Sequence, residues 1–182
     1  MPAAFCRFLF KIWGWKVESP YPYQEKKVVL IVIPHTSNWD FPLGLITRCA
    51  LEINCKFVAK DSLFRWPYGF LFRWMGGIPV DRSRSNNFVE NVAAQIKESN
   101  DLSIVMSPEG TRKKVDKLKS GFYFIALQAG VPIVMCKFDW SKKMIGFSEP
   151  FHPTGDFEKD LKKILEFFKD AKGYRPELGY LS

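Results

Sequence analysis

The sequence predicts an α/β fold: a single domain with a largely parallel sheet flanked by helices and an amphipathic helix at its N-terminus. Three observations lead there. Residues 28–33 are six consecutive β-branched or aliphatic side chains, the pattern of a strand buried on both faces. Strand-like and helix-like segments then alternate along the chain, as crossovers between parallel strands require. With 182 residues, 47% of them hydrophobic and 25% charged, the chain can bury a core without disulfides or a metal. No repeat, low-complexity tract or linker divides it, so 1–182 is read as one domain.

The first element covers residues 2–15, where apolar side chains at 5, 8, 9, 12 and 13 follow helical spacing and Arg7, Lys11 and Lys16 stand apart from them. Two readings stand for this helix of about 1–17: it lies on a membrane interface, or it packs on the domain's own core. After the strand at 28–33, further strands are expected at 55–60, 78–81, 102–107 and 131–138. Helices are expected between them at 40–51, 62–75, 85–98 and 121–129. In the third helix Phe88, Val89, Val92, Ala93 and Ile96 line one face, with Ser85 or Asn86 as cap; the fourth ends at Gly130, a natural C′ residue. A last amphipathic helix starts near 154–156, turns Phe157, Leu161, Ile164, Leu165 and Phe168 inward, and stops at Gly173. The segment 62–75 is rich in aromatic residues for a surface helix and is read as a core helix, the wall of an apolar tunnel or a membrane contact.

Lys and Arg number 27 against 19 Asp and Glu, a net charge of +8, so an anionic partner is expected. The aromatics cluster with aliphatic residues instead of interleaving with Lys and Arg, and no recognition motif is present, which argues against nucleic acid. Cys6, Cys49, Cys55 and Cys136 include no C-x-x-C pair, and two histidines cannot complete a zinc spacing. Free thiols in a reducing compartment, and no bound metal, are the expectation. No apolar run reaches the length of a membrane span, and Arg7 and Lys11 interrupt what would be a signal peptide's apolar region. A cytoplasmic protein held peripherally on the inner face of the membrane is therefore expected.

Three short segments carry candidate chemistry. The strand at 28–33 runs into Pro34-His35-Thr36-Ser37-Asn38-Trp39-Asp40, at the carboxyl end where α/β proteins bind ligands. A carboxylate five residues after a His, across a strand-to-helix turn, can accept the imidazole N–H and leave the other nitrogen as a base. The plainer alternative is a structural His with Asp40 capping a helix. No Ser, Cys or Thr occupies a nucleophile elbow, so such a base acts directly on a substrate hydroxyl. Ser107-Pro108-Glu109-Gly110-Thr111-Arg112 follows another strand at the same edge and opens a basic loop, where backbone at Gly110 and the Arg112 guanidinium suit an anion. Gly76-Gly77-Ile78-Pro79-Val80-Asp81-Arg82 places a second guanidinium beyond a short strand.

In this order the three segments resemble the glycerolipid acyltransferase family, the 1-acyl-sn-glycerol-3-phosphate acyltransferases and their relatives. His35 and Asp40 match its His-x4-Asp motif, Gly77 to Arg82 its second motif, and Pro108 to Arg112 its Pro-Glu-Gly-Thr-Arg motif. Val131-Pro132-Ile133-Val134 matches a fourth, so the likeness covers about residues 28–138. Pro34 stands where many relatives have Asn, and Met135 where they have a second proline. The resemblance implies transfer of a fatty acyl group from acyl-CoA or acyl carrier protein to a lysolipid hydroxyl, most directly 1-acyl-sn-glycerol-3-phosphate, with no cofactor. It implies His35 as general base, Asp40 as its orienting partner, and Arg82, Glu109, Gly110, Thr111 and Arg112 as acceptor-binding residues. The same chemistry on a lyso-aminolipid or another hydroxylated lipid, and a non-catalytic peripheral protein that binds lipid or carrier, are the alternatives. The +8 charge suits a phosphate-bearing acceptor, an acidic carrier and an anionic membrane surface alike.

Overall fold

The computed structural model describes residues 2–80 and 88–180. Seven strands form one sheet: β1 (Lys16–Ser19), β2 (Val29–Ile33), β3 (Cys55–Lys60), β4 (Gly77–Val80), β5 (Ser103–Met106), β6 (Ile133–Asp139) and β7 (Met144–Phe147). Their order is β1-β7-β6-β2-β5-β3-β4, and every neighbouring pair is parallel except β6 with β7. The largely parallel sheet is thus present, with β2 at its centre between β5 and β6.

The helices are α1 (Ala3–Ile12), α2 (Asp40–Ala50), α3 (Gly69–Trp74), α4 (Phe88–Glu98), α5 (Gly121–Ala129) and α6 (Phe157–Phe168). They cover both faces. Ile31, Ile104 and Ile133 on one face pack with Ile96 of α4, Phe122 of α5 and Phe168 of α6. On the other, Leu30, Val134 and Phe138 pack with Leu43 of α2 and with Cys6 and Phe10 of α1. Successive β2 side chains point to opposite faces, so a continuous apolar run serves both cores.

Local signals account for most boundaries. Gly130 takes φ +68° and closes α5, a left-handed conformation that suits a residue without Cβ. Asp156 caps α6 by accepting the N–H of Lys159 at 3.1 Å. That helix ends at Phe168 instead of running on to Gly173, and it buries Asp160 along with Ile164 and Phe168. The proposed caps Ser85 and Asn86 lie outside the described residues, as does Arg82.

Three expectations change. The helix expected at 62–75 is two pieces, a 3₁₀ turn at Asp61–Phe64 and then α3, because Pro67 cannot donate to a helical ladder and Gly69 packs against the Phe64 carbonyl. Strands β1 and β7 were not expected; they are four-residue segments, β1 with Val17 as its one apolar side chain and β7 interrupted by Gly146. Finally, the four cysteines are not all free. Packing of α1 on α2 brings Cys6 and Cys49 to a Cα separation of 5.8 Å, and they form a disulfide; Cys55 and Cys136 are buried free thiols. The inference of a reducing compartment therefore rests on two thiols only.

Helix α1 serves its own core through Cys6 and Phe10, while Phe5, Phe8 and Ile12 from the stripe stay exposed. Among the described residues, no helix is long and apolar enough to cross a membrane.

Candidate active site

The carboxyl ends of β5, β2 and β6 lie side by side, and each delivers a loop to one place. From β2 come Pro34 and His35, after which residues 36–39 turn into α2 with Asp40 as its first residue. His35 Nδ1 lies 3.1 Å from Asp40 Oδ2. That same oxygen accepts the backbone N–H of Ser37 at 2.9 Å, and the Ser37 hydroxyl accepts the N–H of Trp39 at 3.2 Å. The five-residue spacing thus bends back on itself and sets the Asp40 carboxylate between the His35 ring and the Ser37 N–H at the start of α2. With Nδ1–H donated to Asp40, Nε2 is the nitrogen left for a substrate proton.

From β5 comes the Ser107 to Arg112 turn. The N–H of Gly110 donates to the Ser107 carbonyl at 3.1 Å, and Gly110 has φ +64°. The N–H of Lys119 returns to the Pro108 carbonyl at 2.8 Å, and the Thr111 hydroxyl accepts the N–H of Lys113 at 3.3 Å, so the basic loop starts from a fixed base. Gly110, Thr111 and Arg112 line a cavity shared with His35 and Asp40.

Glu109 does not line it. Its side chain is turned inward, 3% exposed, and Oε2 accepts the backbone N–H of His35 at 2.6 Å. Burial pushes its carboxyl above the usual range, opposed by the His35 N–H and by the charge of the imidazole. In this structure Glu109 supports the loop that carries His35. The second motif's glycine also has a steric reason: a Cβ on Gly77 would come within 2.7 Å of the Phe72 carbonyl and 2.8 Å of the Phe64 ring.

The cavity is about 1020 Å³ and mostly apolar, with Phe41, Leu45, Phe57, Phe72 and Phe138 in its wall. Its two thiols are poor nucleophiles: burial raises Cys55 to about 11, slightly offset by Arg48, and raises Cys136 well above the ordinary thiol value. His35 and Asp40 form a histidine–carboxylate pair in the same wall, which also holds Lys60 and Lys119. Among the described residues, no cluster of His, Cys, Asp or Glu could hold a metal ion.

From β6 comes a residue that motif reading does not reach. Trp140, 100 residues from Asp40, donates its indole N–H to Asp40 Oδ1 at 2.7 Å. Its position at the end of a strand beside β2 was the available signal.

Residues 15–138 match the model of the acyltransferase family, more than half of the chain. The chain belongs to the acyltransferase family. It is 31% identical over 149 residues to human 1-acyl-sn-glycerol-3-phosphate acyltransferase beta, covering 78% of this chain and 52% of the relative. It is 35% identical over 129 residues to the 1-acyl-sn-glycerol-3-phosphate acyltransferase of Limnanthes douglasii, covering 68% and 45%, and 32% identical over 102 residues to that of Cocos nucifera, covering 53% and 30%. The chain therefore spans about half or less of the length of these relatives. The family match contains the His35, Gly77 and Glu109 motifs of this acyltransferase-family domain and stops just before Trp140.

Proposed function

We propose that this domain transfers an acyl group from a thioester, carried by coenzyme A or acyl carrier protein, to the hydroxyl of a lysolipid, with 1-acyl-sn-glycerol-3-phosphate as the acceptor. The His35–Asp40 pair at the wall of a large apolar cavity that also presents Arg112 carries this reading. Relatives bearing that acceptor in their names support it.

Nε2 of His35 takes the hydroxyl proton as the acceptor oxygen attacks the thioester carbonyl carbon. The carbonyl oxygen becomes an oxyanion, the C–S bond breaks, and the imidazolium returns the proton to the departing thiolate, giving ester and free thiol. Asp40 holds the imidazole in one tautomer and steadies the imidazolium. Arg112, and Arg82 by family resemblance, bind the acceptor's phosphate; the apolar wall takes the acyl chain. The N–H of Gly110 is already held by Ser107, so oxyanion stabilisation falls to the backbone beyond Gly110 and to Arg112.

Peripheral membrane contact is part of the proposal. Trp66 (93% exposed), Tyr68, Phe70 and Trp74 project from the α3 region beside Arg65 and Arg73, and Phe5, Phe8 and Ile12 project from α1. Aromatic and basic side chains in this mixture suit the interface of an anionic bilayer, which in a cell is the cytoplasmic leaflet.

The test is transfer of labelled acyl group from acyl-CoA or acyl carrier protein to 1-acyl-sn-glycerol-3-phosphate by wild type and His35→Ala. A loss of about 100-fold or more in a folded variant is expected. Turnover that survives the substitution overturns His35 as base. Turnover only on a lyso-aminolipid or other hydroxylated lipid in an acceptor panel replaces the acceptor, and no turnover on any replaces the enzyme with a lipid- or carrier-binding protein.

A further inference from the structure

We infer that Trp140 is a positioning residue for the His35–Asp40 pair: its indole N–H fixes the rotation of the Asp40 carboxylate and thereby the tautomer of His35. This rests on the proposed role of His35 as base. Asp40 is 3% exposed, and its two oxygens have separate duties. Oδ2 meets His35 Nδ1 and the Ser37 N–H, whereas Oδ1 accepts from Trp140 at 2.7 Å. Pro34, next to His35, has no N–H to offer. Without the indole, the described residues supply no donor to Oδ1, and a buried carboxylate oxygen loses its partner.

The donor is itself immobilised. The Trp140 ring meets Trp15 and Tyr174 edge-to-face, each with centroids 4.9 Å apart, and Trp13 at 5.8 Å. Its backbone N–H donates to the Lys172 carbonyl at 2.8 Å. Preceding it, the 3%-exposed Asp139 accepts from the Ser141 N–H at 3.0 Å and from the Ser141 hydroxyl at 2.6 Å, which sets the turn between β6 and β7. An indole has one N–H in a fixed direction, so locking the ring locks the hydrogen bond. Residues from both ends of the chain thus close around the indole that meets Asp40 Oδ1.

The experiment replaces Trp140 with Phe, and separately with 3-benzothienylalanine, which keeps the two-ring shape but has sulfur in place of N–H. Kinetics are measured on the acceptor and donor established for the wild type, and the ring nitrogens of His35 are followed by 15N NMR; the sequence has two histidines, so assignment needs a single His152→Gln control. The expected result is a fall in kcat of about 10–100-fold with KM within about twofold, and a His35 ring moved away from the Nδ1–H form. The benzothienyl variant keeps the two-ring packing, so any fall in its melting temperature reports the lost hydrogen bond to Asp40 Oδ1 and not lost packing. A kcat within about twofold of wild type, a loss carried by KM alone, or unmoved His35 resonances overturns the inference. Should the wild type prove inactive on every acceptor, the His35 resonances of the two variants still decide: moved, Trp140 positions the pair; unmoved, it does not.

Discussion

The backbone N–H of His35 donates to Oε2 of Glu109 at 2.6 Å, joining the loops after β2 and β5 across 74 residues of sequence. Two of the family's motifs are therefore one mechanical unit. Glu109 of the Pro-Glu-Gly-Thr-Arg motif holds up the loop that carries His35 of the His-x4-Asp motif.

From that geometry, Glu109→Gln and Glu109→Ala should differ. The amide oxygen of Gln accepts the His35 N–H, so activity should stay within about threefold of wild type, while Ala leaves a buried N–H unpaired and lowers kcat by about 10-fold or more. Steady-state kinetics on both variants check this. Equal damage from Gln and Ala would mean that the loop needs the carboxylate itself and not just an acceptor for the His35 N–H.

Gly173 packs against the same loop from the C-terminal side. A Cβ there would come within 3.0 Å of Thr36 Cγ2 and 3.3 Å of Pro34 Cγ, and the Thr36 hydroxyl already accepts the Arg175 N–H at 3.1 Å. Gly173→Ala should push the 34–36 turn off His35's position, with a loss of about 10-fold in kcat and a melting temperature lower by about 2–5 °C. Full activity in a correctly folded Gly173→Ala protein would show that the turn tolerates displacement.

Away from the site, the fully buried Asp160 accepts from the Tyr123 hydroxyl at 2.8 Å and from the Thr154 N–H and hydroxyl at 2.7 and 2.9 Å. Burial alone would raise its carboxyl, but these hydrogen bonds outweigh it and hold the group below its ordinary value of 3.8. A depressed carboxyl contributes stability above the unfolded-state value and loses it as pH falls through the folded one. The urea midpoint of wild type should therefore exceed that of Asp160→Asn by a constant margin near neutral pH, and the margin should shrink below about pH 4. A margin that holds or grows on acidification contradicts the assignment.

The aromatic projection of the α3 region gives a surface prediction. Trp66→Ser with Trp74→Ser should weaken sedimentation with phosphatidylglycerol vesicles by about 10-fold or more, since both side chains are largely exposed and neither serves the core. Melting temperature should not move. Unchanged vesicle binding would assign membrane contact to α1 or to neither element.

Much of this is legible from residue order. The run at 28–33 reads as a strand buried on both faces because both faces of β2 are covered, and Gly130 and Asp156 end and begin helices as their conformations and side chains dictate. The turn from His35 to Asp40 closes within six residues, so its pairing can be anticipated from spacing and the position of a helix start. By contrast, β1 has a single apolar side chain and β7 is four residues broken by Gly146, too little for periodicity to mark; β7 becomes a strand on the edge of β6, and β1 then on the edge of β7. The segment at 62–75 has helical apolar spacing, yet Pro67 and the close contact of Gly69 with Phe64 break it.

By itself, then, the sequence determined the parallel α/β architecture, the chain positions of the His35, Gly77 and Glu109 motifs, and the membership those motifs carry. Tertiary structure alone decided that Glu109 faces inward beneath His35, that Cys6 meets Cys49, and that Trp140 reaches Asp40 between Trp15 and Tyr174. The reason is range. Hydrophobic periodicity and capping act over a few residues and are written in local order, whereas a hydrogen bond between positions 40 and 140 exists only after β6 has aligned beside β2 and both ends of the chain have closed around the indole.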